Sequence, residues 1–247
     1  MAKFVVMADW GDVPHLSELE KEELIASIPP HQREARTKGV PQLGSGAIFP
    51  VPESDVVVDD FEIPAHFARG YGLDVGWNCT ASVWIAHDRE TNIRYLYAVH
   101  KRGEAEPSVH ADAIRARGVW IPGRIDPASR GRSQTDGRQL IQDYIDMGLF
   151  LDVAPNAVES GLLEVWRLLS TGQLKVFKSC KPWIEEFRLY RRDLKGRVVK
   201  QNDHLMDATR YAILSGVQWL SIEPLAEQEP AVRFLHTSSD NKLGWMH

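Results

Sequence analysis

The residues best suited to chemistry lie at three acidic spots far apart in the chain. Asp74 interrupts Tyr71-Gly72-Leu73-Asp74-Val75-Gly76-Trp77, where Leu73 and Val75 mark a buried strand. An ionised carboxylate there is costly unless it is paired or holds a metal. It either caps the turn beside Gly76 or serves as a ligand, and Gly72 and Gly76 leave room for a ligand or another backbone to approach. Asp126, in Arg124-Ile125-Asp126-Pro127-Ala128, follows a short strand expected at Val119 to Ile121. Asp203 and Asp207 stand four residues apart on one helix face. Acids on a strand, at a strand end and on a helix, brought together by a fold, suit hard divalent cations, which prefer oxygen ligands.

Basic residues gather near these acids. Arg115, Arg117, Arg124, Arg130, Arg132 and Arg138 surround Asp126, and Arg188, Arg191, Arg192, Lys195, Arg197 and Lys200 precede Asp203. Either these runs are solvated faces, or they hold a phosphodiester backbone while the acids hold metal. The second reading fits their position beside the acids. The overall charge of −5 gives no general attraction to nucleic acid.

Composition narrows the remaining classes. The chain has 247 residues, enough for one large domain or for one domain with flanking pieces. No apolar run approaches a membrane span, and Lys3 to Ala8 is too short for a secretory signal. Cys79 and Cys180 lack metal-ligand spacing, which points to a reducing cytoplasm. Gly44-Ser45-Gly46 lacks the lysine and Ser/Thr of a phosphate loop, so ATP hydrolysis is not expected.

The elements that must position the acids follow from periodicity. Phe4 to Met7 reads as a strand. Ser17-Glu18-Leu19-Glu20 opens a short helix through a capping box, His31 to Arg36 forms a second helical piece, and Val56 to Val58 reads as a strand. Tyr71 to His87 is strand, turn, strand. Asp88 to Asn92 turns the chain into a third strand, Arg94 to His100. The three form an antiparallel meander, and a helix from Pro107 to Arg117 crosses back to lay Val119–Ile121 beside the first strand. Helices are expected at 136–147, 158–169 (with Leu162, Leu163, Trp166 and Leu169 inward), 182–190 and 203–220. Strands are expected at 149–153 and 174–177. Tyr190 to Lys200 reads as a basic hairpin turning at Gly196. Trp77 and Trp84 are read as core or hairpin packing rather than base-stacking platforms, and the tail beyond Glu223 has little periodicity.

Seven short motifs occur in a specific order between residues 10 and about 215. They are Trp10-Gly11-Asp12-Val13-Pro14-His15-Leu16, Arg33-Glu34-Ala35-Arg36, Gly39 to Gly46, Gly72-Leu73-Asp74-Val75-Gly76, Ile125-Asp126-Pro127-Ala128, Asn156-Ala157-Val158-Glu159-Ser160-Gly161, and Asn202 to Tyr211. In this order they resemble the nuclease domain of the tailed-bacteriophage terminase large subunit. The resemblance implies an α/β fold: a ribonuclease H-like mixed sheet, antiparallel meander plus parallel strands, flanked by helices on both faces. It divides the chain into a lead-in (1–62) like the end of an ATPase motor and linker, a nuclease domain (63–222) and a tail (223–247).

The same resemblance implies an endonuclease that cuts concatemeric viral DNA during packaging, in the host bacterial cytoplasm. Asp74, Asp126 and Asp207 would be the catalytic, metal-binding acids, with Asp203 as either a fourth ligand or a group supporting the ligands from behind. Two Mg²⁺ or Mn²⁺ ions, about 3.5–4 Å apart, would activate water and neutralise the leaving oxygen. Glu159 would support the ligands from behind. His204 either does so, orienting water or phosphate, or is simply hydrogen-bonded to Asp203. Arg188, Arg191, Arg192, Lys195, Arg197, Lys200, Arg130 and Arg132 would contact double-stranded DNA. An ATPase motor, a small terminase subunit and a portal protein are the implied partners. Asp207→Ala is expected to abolish cutting and leave the fold intact. The rival readings are a resolvase or transposase-type nuclease, which should lack the Trp10–Leu16 and Gly39–Gly46 motifs, and a non-catalytic assembly module. A structural Ca²⁺ site is disfavoured because there is no contiguous acidic loop.

Overall fold

The computed structural model describes residues 10, 17–28, 37, 46–131 and 139–224. Its centre is a seven-stranded sheet of β1 (Val57–Val58), β2 (Ala68–Asp74), β3 (Thr80–Asp88), β4 (Ile93–Arg102), β5 (Gly123–Ile125), β6 (Leu151–Val153) and β7 (Leu174–Phe177). The strand order is β1-β7-β4-β3-β2-β5-β6. β2, β3 and β4 form the antiparallel meander. β5 joins β2 in parallel and β6 joins β5 in parallel, while β7 lies parallel to β4 and β1 parallel to β7. The turn between β3 and β4 is locked by the Asp88 carboxylate, which accepts from the Glu90 N–H at 2.9 Å and the Thr91 hydroxyl at 2.6 Å.

Two apolar layers cover the sheet. All of β3 is buried, and successive side chains go to opposite faces, as the two-residue period of a strand requires. Ala81, Val83 and Ile85 pack beneath α5 (Val158–Ser170), α6 (Lys181–Leu189) and α7 (His204–Leu214). Trp84, with Tyr71 and Leu73 of β2, packs beneath α3 (Pro107–Arg115) and α4 (Leu140–Asp146). Upstream lie α1 (Glu18–Ser27) and the single turn α2 (Glu53–Val56). Ser17 and Glu20 form both bonds of the capping box that opens α1. Phe49, Val51 and Val56 belong to the same core as the strands. Among the described residues no helix is long and apolar enough to cross a membrane.

Several elements differ from the periodicity reading. The strand beside β2 is Gly123–Ile125 and not Val119–Ile121. Val119 is exposed, and backbone pairing of Tyr71 with Gly123 sets the register instead. Only Val57 and Val58 of the Val56–Val58 triplet are in a strand; Val56 ends α2. On α5, Val165 and Leu168 are buried while Leu163 and Trp166 face outward. Gly161 sets this rotation by packing directly against Arg210 of α7. α7 ends at Leu214 and does not reach Leu220, because Gly216 turns the chain with φ +77. Trp84 is a core residue, but Trp77 is 64% exposed. The readings at Phe4–Met7, His31–Arg36, Arg132, Arg138, nearly all of the Trp10–Leu16 and Gly39–Gly46 motifs, and the tail from 225 lie outside the described residues.

Candidate active site

β2 and β5 run in parallel with Leu73 opposite Ile125. Asp74 and Asp126 therefore leave the carboxyl ends of neighbouring strands side by side, and the Asp126 N–H donates to the Leu73 carbonyl at 2.9 Å. Pro127 fixes the turn after Asp126, a 3₁₀ turn from Pro127 to Arg130. The Asp126 carboxylate caps it by accepting from the Ala128 N–H at 3.0 Å.

α7 supplies the third side. A Cβ on Gly72 would lie 1.9 Å from the Ala208 carbonyl oxygen, so only glycine permits α7 to lie this close on β2. His204, Asp207 and Tyr211 share one helix face at i, i+3 and i+7. His204 Nδ1 meets Asp74 Oδ2 at 2.9 Å, and the Tyr211 hydroxyl donates to Asp126 Oδ1 at 3.0 Å. Asp207 stands between them. Its Oδ2 accepts from Lys200 Nζ at 2.6 Å, and its Oδ1 accepts from the Arg210 guanidinium at 3.1 and 3.2 Å. Lys200 also reaches Asp203 at 3.0 Å, so one ammonium joins two buried carboxylates.

The electrostatics reflect this crowding. Burial raises the Asp74 pKa; the His204 bond opposes this, and Asp207 and Asp126 push it further up. Burial also raises Tyr211, reinforced by Asp126, Asp207 and Asp74. Burial alone would lower Lys200, but Asp207 and Asp203 outweigh it. Among the described residues no three His, Cys, Asp or Glu side chains stand arranged to hold a metal ion. Each carboxylate faces a protein donor instead. The donor set still fits a hard cation: it is all oxygen, it repels itself, and Lys200 already places positive charge between two of its members.

Behind the site, Glu186 of α6 is 2% exposed. Its Oε2 accepts from the Leu205 N–H at 2.8 Å and the Met206 N–H at 3.3 Å, and its Oε1 meets Lys101 Nζ at 2.7 Å. It thus caps the first turn of α7 from another helix, where a carboxylate is favoured by the orphan N–H groups and the helix dipole. Glu186, Lys101 and the roles of Tyr211 and Arg210 were missed in the sequence. Two signals were available: Glu186 shares the apolar face of Trp183, Phe187 and Tyr190, and Tyr211 falls one turn after Asp207.

The other expected site residues are distributed as follows. Glu159 is exposed and pairs with Arg192 at 2.6 Å. Arg188 is bidentate to Glu53 and Arg197 pairs with Asp193. Arg191, Lys195 and Arg130 are exposed. Arg124 pairs with Asp152, and Arg117 lies 4.2 Å above the Trp84 ring. His204 bonds Asp74 and not Asp203. Asp207→Ala would leave the buried Arg210 guanidinium without this carboxylate, at a cost on the order of 3 kcal/mol of stability.

A mixed sheet with this strand order, helices on both faces and acids at the ends of β2 and β5 defines a ribonuclease H-like nuclease fold. Residues 72–215 match the family model described as Terminase RNaseH-like domain, and the chain belongs to that family. The chain is 38% identical over 211 residues to the terminase large subunit of Salmonella phage P22, covering 82% of this chain and 42% of that protein. It thus spans less than half the length of this curated relative. The P22 large terminase nuclease domain structure superposes with a TM-score of 0.67 at 34% identity, covering 73% of this chain and 96% of that one. The large terminase nuclease of thermophilic phage G20c with bound magnesium shares the fold at 16% identity, with a TM-score of 0.51 and coverage of 69% and 97%.

Proposed function

We propose that this chain is the nuclease part of a terminase large subunit and cuts concatemeric viral DNA by metal-dependent phosphodiester hydrolysis. The observation that carries this reading is the in-register exit of Asp74 and Asp126 from parallel strands beneath Asp207 of α7. Asp74, Asp126 and Asp207, with Asp203 beside them, would hold two Mg²⁺ or Mn²⁺ ions. When bound, such ions supply an activated water and neutralise charge on the leaving oxygen. The G20c nuclease carries magnesium on the same fold.

The chain's own residues prepare this chemistry. His204 and Tyr211 hold Asp74 and Asp126 in place, and Glu186 fixes the start of α7 and hence the depth of Asp207. Lys200 neutralises Asp203 and Asp207 in the absence of metal and would compete with a bound ion for the same oxygens. Arg191, Lys195 and Arg130, all exposed, would hold the DNA backbone. A motor, a small terminase subunit, a portal protein and the host bacterial cytoplasm complete the proposed setting, and residues 63–222 form the proposed nuclease domain.

Asp126→Asn is the cleanest test, because the amide oxygen still accepts from Ala128 and Tyr211 while the charge is gone. Loss of groups behind metal ligands costs 10–100-fold, so loss of a ligand's charge should cost at least about a hundredfold in Mn²⁺-dependent plasmid nicking. Nicking near the unaltered rate would reject the proposal, and absence of any Mn²⁺-dependent stabilisation in the unaltered chain would favour an assembly module.

A further inference from the structure

The turn after Asp74 holds a feature that the acids do not explain. Trp77 is 64% exposed, yet the backbone carrying it is clamped. The Trp77 carbonyl accepts from the Glu104 N–H at 2.8 Å, and the Thr80 hydroxyl donates to the Gly76 carbonyl at 3.0 Å. On the neighbouring segment, a Cβ on Gly103 would sit 2.2 Å from the Asn78 carbonyl oxygen. An indole on a fixed base and turned towards solvent loses little entropy on binding, unlike a flexible side chain.

Trp77 stands at the rim of a cavity of about 210 Å³, whose other walls include Val75, Pro107, His110, Leu140 and Tyr144. The walls are apolar or aromatic, and their polar groups are already engaged: His110 meets His100 at 3.0 Å and the Ala105 backbone, and Tyr144 bonds Thr80. The space is small for a drug-sized ligand and suited to one planar ring system. Trp77 is three steps along the chain from Asp74, at most about 11 Å between Cα atoms. That is on the order of three nucleotide rises of 3.4 Å along one strand.

We propose that Trp77 and this cavity receive one unpaired nucleobase of the DNA strand cut at Asp74 and Asp126. The occupant follows from continuity with the acids: DNA whose phosphate lies at Asp74 presents only bases as apolar planar groups within this reach. Stacking on an indole accepts every base, because each has a π face. The site therefore favours frayed, gapped or single-stranded DNA over a closed duplex without reading sequence.

The inference rests on the nuclease reading, and the test separates the two. The probe is a single-stranded oligonucleotide with one 2-aminopurine, bound to the full chain without divalent metal, so that no cutting is required. Unaltered chain and Trp77→Phe should quench the probe. Trp77→Ala should lose the quench and bind at least about fivefold more weakly, and in Mn²⁺ it should raise KM on gapped DNA with kcat little changed. Equal quenching and equal KM in Trp77→Ala would overturn the base site even if cutting is normal. A lost quench in a chain that never cuts would leave the base site standing and remove the nuclease reading instead.

Discussion

Lys200 joins two of the site's carboxylates. Its ammonium lies where two carboxylates converge, 2.6 Å from Asp207 and 3.0 Å from Asp203. A divalent ion and this ammonium compete for the same oxygens, so removing the ammonium should help the ion. Lys200→Met should bind Mn²⁺ roughly fivefold more tightly by calorimetry in the absence of DNA, the scale of a partly exposed ion pair. Unchanged or weaker binding would show that Lys200 is not a competitor. The sequence displayed the acids, because Asp74 breaks an apolar strand and Asp203 and Asp207 share a helix face. It did not display this role for Lys200, which reads as the last charge of a basic hairpin. The neighbours Arg188, Arg192 and Arg197 are likewise spent on Glu53, Glu159 and Asp193, partners that spacing alone does not reveal.

Among the elements, α7 and α3 fix the two faces of the sheet by different means. α7 is seated by Gly72 and capped by Glu186, neither of which leaves a helical pattern in α7 itself. α3 meets β4 through His110 and His100, 3.0 Å apart. Burial, helped by the charges of His110, Arg117 and Arg102, lowers the His100 pKa to about 4. Burial lowers His110 as well, against the Ala105 bond. The sign follows directly. The unfolded chain takes up a proton near pH 6.5 while the folded chain refuses it, so stability is intact above about 6.5 and falls as pH drops towards about 4. Tm should therefore decline between pH 7 and 5, with a shallower decline in His100→Gln; identical slopes would exclude the pair as the cause. Where the element readings moved, backbone geometry decided: pairing with Tyr71 placed β5, and Gly216 ended α7.

At the scale of the whole molecule, the meander was legible from the two-residue period of its long strands and the helices from their apolar faces, while the mixed sheet with helices on both faces was implied by the family resemblance. The short strands β1, β5 and β6 were less legible, since two or three residues carry almost no period and take their identity from a neighbour. The acids lie at the carboxyl ends of β2 and β5 and on α7 beside them, with Arg191 and Lys195 exposed on the hairpin that leads to Lys200. Arg191→Glu with Lys195→Glu should weaken DNA binding and flatten the slope of log K against log salt by about two. A retained slope would take the hairpin off the DNA path.

The most direct measurement is anomalous scattering from a crystal of the full chain soaked in Mn²⁺. The expected result is manganese bonded to oxygens of Asp74, Asp126 and Asp207, with the Lys200 ammonium displaced from Asp207. Manganese bound elsewhere, or Lys200 still seated between Asp203 and Asp207 at saturating metal, would contradict it.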